Sequence, residues 1–104
     1  MNKYTELSDF EINKAVFHKV KIKYKYFRFL PNGVITYNIK GKYQVFDPCN
    51  IPSDAMPIII KNGISMVRVN NTWSARQFNN HCIEINGDNY YRIAMEVYLL
   101  MNGK

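Results

Sequence analysis

Seven basic side chains give the strongest chemical signal in this sequence. Lys19, Lys21, Lys23 and Lys25 recur at every second residue, Arg28 follows, and Lys40 and Lys42 flank a glycine. Alternate residues of a strand share one face, so on a strand these lysines would stand in a row at intervals of roughly 6–7 Å. That interval is near the phosphate spacing of a nucleic-acid strand, and Tyr24, Tyr26, Phe27 and Phe29 are neighbouring rings on which bases stack. No acidic residue occurs between Glu11 and Asp47. A one-signed stretch of this kind steers anionic partners, whether a nucleic acid or an acidic protein face. Alternating lysines also blunt an edge strand against aggregation, and the tyrosines alternate away from the lysines toward a core. Both roles fit the residues.

Catalytic patterns are sparse. The histidines are His18 and His81, far apart in the chain. His81 and Cys82 are adjacent, and adjacent strand residues point to opposite faces, so they form no direct dyad. The other thiol, Cys49, is of the type most often buried as a small hydrophobe. No His, Cys and carboxylate residues have metal-ligand spacing, and neither a phosphate-binding glycine loop nor a dinucleotide motif is present. The expectation is a non-enzyme with no cofactor and no metal. Trp73, with Arg68 and Arg76 on nearby strands, is a candidate interface, because Trp and Arg dominate many binding surfaces.

The elements that position these residues are legible from periodicity. Ser8 and Glu11 form a capping box, Leu7 and Ile12 a hydrophobic staple, and Ile12, Ala15, Val16 and Lys19 follow helical spacing. A helix is expected from Asp9 to His18. Residues 19–26 alternate as a strand, Leu30-Pro31-Asn32-Gly33 reads as a turn, and 34–39 and 43–46 read as two returning strands. Asp47 to Pro52 is a loop. Ser53 or Asp54 caps a short second helix through Lys61, with Pro57 in or near its first turn, Gly63 as its left-handed stop and Ile64 packing back. Residues 64–69, 72–78 and 82–85 read as three more strands, and Asp88 or Asn89 opens a last helix to Met101. The order α-βββ-α-βββ-α predicts an α+β fold with antiparallel sheet, in a single domain of 104 residues.

Composition narrows the class. Hydrophobic residues make up 47% and aromatics 14%, too many for disorder. No apolar run approaches a membrane span, and the start lacks a signal-peptide core, so a reduced cytosolic protein is expected. The net charge is +6, and residues 1–52 carry nine basic against four acidic residues.

Three blocks carry a family resemblance. They are Tyr4-Thr5-Glu6-Leu7-Ser8-Asp9-Phe10-Glu11-Ile12-Asn13; Phe46-Asp47-Pro48-Cys49-Asn50-Ile51-Pro52-Ser53-Asp54-Ala55-Met56-Pro57-Ile58-Ile59-Ile60 with Asn62-Gly63-Ile64-Ser65; and Arg92-Ile93-Ala94-Met95 leading to Leu99-Leu100-Met101. Together they resemble the small NinX-like proteins of lambdoid phages and prophages. The basic meander lies between the first two blocks. The resemblance implies a phage accessory protein in the cytoplasm of an infected or lysogenic bacterium, and it brings no catalytic residues with it. It makes Asp47, Cys49, Asn50 and Asp54 candidate site residues, each with a structural alternative in turn formation, helix initiation or packing. The resulting expectation is a non-catalytic protein that binds and modulates a host protein or nucleoprotein complex, possible targets including an antiviral defence complex. Direct DNA or RNA binding through the basic strand is the alternative. A positive face suits an acidic groove or a nucleic acid, and has the wrong sign for a DNA mimic.

Overall fold

The computed structural model describes residues 3–20, 27–79 and 81–102. Its elements are α1 (Asp9–Val20), β1 (Phe27–Phe29), β2 (Ile35–Ile39), β3 (Lys42–Phe46), α2 (Pro52–Lys61), β4 (Ser65–Val69), β5 (Thr72–Gln77), β6 (Ile83–Gly87) and α3 (Tyr90–Asn102). The chain is thus an α+β domain in the expected order, with two three-stranded antiparallel sheets, β1-β2-β3 and β4-β5-β6.

Local chemistry explains how α1 begins. Ser8 Oγ accepts from the Glu11 N–H at 3.1 Å, and Glu11 Oε1 accepts from the Ser8 N–H at 3.0 Å, which satisfies two otherwise orphan donors. The helix runs two residues past its expected end, through Lys19 and Val20. Val20 lies four residues beyond Val16 and extends the stripe that Ile12 and Val16 bury, so packing continues the helix into the alternating segment. Lys19 is therefore helical, not part of a strand. The rest of the expected first strand, 21–26, lies outside the described residues.

The second helix departs from expectation at its start. Ile51, not Ser53 or Asp54, is the N-cap, and it makes no side-chain cap. Pro52 begins the helix, where its fixed φ fits and its missing N–H costs nothing. Pro57 stands in the second turn and removes a hydrogen bond to the Ser53 carbonyl, yet the helix persists because Ile58 and Ile59, which follow it directly, are buried in the core. At the far end the Ile64 N–H reaches the Ile59 carbonyl at 3.1 Å and the Gly63 N–H reaches that of Ile60 at 3.3 Å, with Gly63 at φ +64°. This is the Schellman closure anticipated from Gly63, and Ile64 packs in the same core as Ile59.

The core gathers around α3, which is buried continuously from Ile93 to Leu99. It lies against β5 and β6 on one side and against α1 and α2 on others. Asn89, one of the two expected caps, accepts from the Tyr91 and Arg92 N–H groups through Oδ1. The first sheet packs its inner face on α1, where Phe17 meets the rings of Phe27 at 4.8 Å, Phe46 at 5.6 Å and Phe29 at 5.9 Å. Phe29 therefore serves this aromatic core, while Phe27 touches Phe17 at its edge and stays 42% exposed.

Candidate functional site

Strand register divides the first sheet into two chemically different faces. Arg28 pairs with Thr36, Thr36 with Val45, and Asn38 with Tyr43, so these five side chains share the face turned away from α1. On that face the Arg28 guanidinium lies 4.5 Å from the Tyr43 ring centroid, the geometry of a cation–π pair. Tyr43 is 44% and Val45 47% exposed, well above what a strand facing a covering layer shows. A two-residue turn, Lys40-Gly41, joins β2 to β3 with both φ angles positive, at +50° and +88°. The Asn38 Oδ1 steadies it by accepting from the Gly41 N–H at 2.9 Å.

The basic residues singled out in the sequence occupy several places. Arg28 is on the outer face and Lys40 is in the exposed turn. Lys42 alternates with Tyr43 and so belongs to the inner row, at the exposed end of the sheet. Lys19 is elsewhere: its Nζ donates to the Asn102 carbonyl at 3.1 Å. It borders a cleft of about 490 Å³ with Lys61, Asn62 and Tyr98, where the C-terminal ends of the three helices meet. Lys21, Lys23 and Lys25 lie outside the described residues.

The loop of Asp47, Cys49, Asn50 and Asp54 is tied to itself and to α1 by a network of hydrogen bonds. The Asp47 carbonyl accepts from the Asn50 and Ile51 N–H groups, a turn that Pro48 presets. Asn13 on α1 donates through Nδ2 to Asp47 Oδ1 at 2.7 Å and accepts from the Cys49 N–H through Oδ1 at 3.1 Å. Asn50 Nδ2 donates to both Asp47 oxygens and to Asp9. Asp54 Oδ2 accepts from the Asp47 N–H at 2.9 Å, and burial pushes its carboxyl above the ordinary 3.8. Cys49 is fully buried, and burial, reinforced by the nearby Asp9 charge, drives its thiol far above the usual range. It is a thiol rather than a thiolate at neutral pH, and so is a poor nucleophile.

Arg92 completes this cluster and was missed by sequence reasoning. Its guanidinium donates to Asp9 Oδ1 at 2.7 Å, to Glu96 Oε2 at 2.7 Å, and to the Leu7 and Tyr4 carbonyls at 2.8 and 2.9 Å. Burial alone would lower its pKa, but the hydrogen bonds to Asp9 and Glu96 outweigh that and raise it. The i, i+4 spacing of Arg92 and Glu96 was the one available signal. Among the described residues no group of three or more His, Cys, Asp and Glu is placed to hold a metal.

Trp73 and the two strand arginines do not make one surface. Trp73 shares the α3-facing side of the second sheet with Ala75 and stacks edge-on against Tyr90 at 4.9 Å. Arg68, its cross-strand partner, lies over its ring at 5.1 Å. Arg76 points to the opposite face, where it pairs with Glu84 at 3.4 Å and bonds Ser74.

The family model described as Bacteriophage P22, NinX matches residues 3–102, and so covers the basic meander as well as the three blocks. No curated protein and no solved structure matches the chain. No helix among the described residues is long and apolar enough to cross a membrane.

Proposed function

Because the chain belongs to the bacteriophage P22 NinX family, we propose that it is a non-catalytic phage accessory protein that binds and modulates a host macromolecule through the outer face of β1-β2-β3. One observation carries this reading. Arg28, Tyr43 and Val45 are exposed together, with Lys40 exposed in the adjoining turn and no acidic residue in the sequence from Ile12 to Phe46. Such a face attracts an anionic surface and offers it both charge and apolar area.

The buried, protonated Cys49 and the internally satisfied loop around it support the non-catalytic part, since neither a thiolate nor a free carboxylate pair is presented there. A host nucleoprotein complex, such as one of antiviral defence, is the target class we favour, because a basic face suits an anionic surface. The test is capture from host lysate on the immobilised protein. Retention of a stoichiometric host component is expected; an empty capture across a range of salt overturns the reading.

A further inference from the structure

We infer that the outer face of the first sheet takes single-stranded nucleic acid, with a base stacking on the Arg28–Tyr43 pair. This rests on the reading above and narrows its macromolecule to one chemical class. Four observations converge on it.

Arg28, like Arg68, lies against an aromatic ring and not against a carboxylate. Arg92 and Arg76 are ion-paired, whereas no carboxylate pairs with Arg28 among the described residues. Among the described residues its guanidinium lies over the Tyr43 ring. A guanidinium laid over a phenol presents a flat, cationic surface whose in-plane N–H donors remain available for phosphate oxygens. Tyr43 and Val45, each nearly half exposed, add a ring and an apolar contact on the same face.

The dimensions and chemistry favour a single strand over other anions. Three strands spaced about 4.8 Å apart give a platform about 10 Å wide, suited to a few unpaired bases. In a duplex the base faces are already stacked, and a groove admits a helix or a two-stranded ribbon rather than a flat sheet. An acidic protein is the weaker fit. A stable protein interface needs roughly 800 Å² per partner around an apolar centre, and the large exposed apolar side chains on this face are only Tyr43 and Val45.

The experiment is fluorescence anisotropy with labelled single-stranded DNA and RNA of about 12 nucleotides, against a matched duplex, across a salt series. The single strands are expected to bind more tightly than the duplex, with log affinity falling against log salt by about 0.7 per phosphate contacted. Tyr43→Ala is expected to weaken binding about tenfold, as loss of one stacked base does. Arg28→Lys keeps the charge but not the plane, and is expected to lose affinity as well, while Arg68→Ala, on the other sheet, retains it. Both outer-face residues are exposed, so an unchanged melting temperature confirms that the variants fold. Equal binding by wild type and both outer-face variants overturns the inference, as does a preference for duplex. No oligonucleotide binding, with a nuclease-resistant host protein still captured, overturns the nucleic-acid occupant and leaves the proposed function standing. No oligonucleotide binding and no capture overturns both.

Discussion

The Arg92 guanidinium and the Asp9 carboxylate, 83 residues apart in the chain, meet at 2.7 Å. Asp9 opens α1 and Arg92 lies in the first turn of α3, so this contact fixes the start of one helix against the start of another. The same guanidinium holds the Tyr4 and Leu7 carbonyls, which ties the segment before α1 to α3. Asp9 in turn accepts from Asn50, so the loop before α2 joins the same network. The loop that the family resemblance marks out is thus a junction of all three helices.

Removing Arg92 should be costly. Arg92→Met takes the guanidinium from Glu96, which is only 5% exposed, and from two backbone carbonyls. A loss of about 3–5 kcal/mol is expected, the range for removing one partner of a buried ion pair. Arg92→Lys should recover part of it, since one ammonium cannot reach four acceptors in a fixed plane. Urea unfolding at neutral pH measures both.

Asn13 offers a sharper electrostatic test. Its amide donates to Asp47 Oδ1 at 2.7 Å, so Asn13→Asp replaces a donor by a second carboxylate at that distance. A loss of about 2–3 kcal/mol is expected at neutral pH, from an unsatisfied acceptor and like-charge repulsion. Acidification should restore much of it as one carboxyl takes a proton. A deficit that does not change with pH would contradict the geometry.

Asp54 sets a pH dependence of definite sign. Its folded-state pKa lies above 3.8, chiefly through burial, so the folded form holds more protons between that value and the raised one. Stability contributed by this group therefore falls as pH rises through the window. Asp54→Asn retains an acceptor for the Asp47 N–H and removes the titration. As pH rises above 3.8 the variant should gain stability relative to wild type. Denaturant midpoints at several pH values give the answer.

The two thiols should separate cleanly. Cys49 is fully buried with its thiol protonated, and Cys82 is exposed. A thiol reagent such as DTNB should titrate one cysteine in the native protein and two in denaturant. Fast reaction at Cys49 in the native state would contradict its burial.

The reach of the sequence varied with the range of the interaction involved. The α1 capping box, the Gly63 stop and the Asn89 cap were legible because each depends on residues within a few positions of one another. The end of α1 was not, because Val20 fits both the helical stripe of Ile12 and Val16 and the alternation that follows it. Packing against the core settled that overlap. Phe29 looked like a stacking ring beside a basic residue until Phe17 supplied the partner that turned it inward, while Phe27 touches the same ring and stays exposed. Tyr43 drew no attention for the converse reason: its importance lies in the cross-strand register that brings Arg28 to it. The Arg92 network, linking residues more than 80 positions apart, left only its Arg92–Glu96 spacing in the sequence.

A matched pair of charge reversals asks whether the host macromolecule binds at the outer face of the first sheet. Arg28→Glu changes that face, and Lys61→Glu makes the same change in charge at the end of α2. Both variants are passed through host-lysate capture at equal salt, with melting temperature as the check on folding. Arg28→Glu is expected to lose the captured component while Lys61→Glu keeps it. Retention by a folded Arg28→Glu protein would contradict binding at that face.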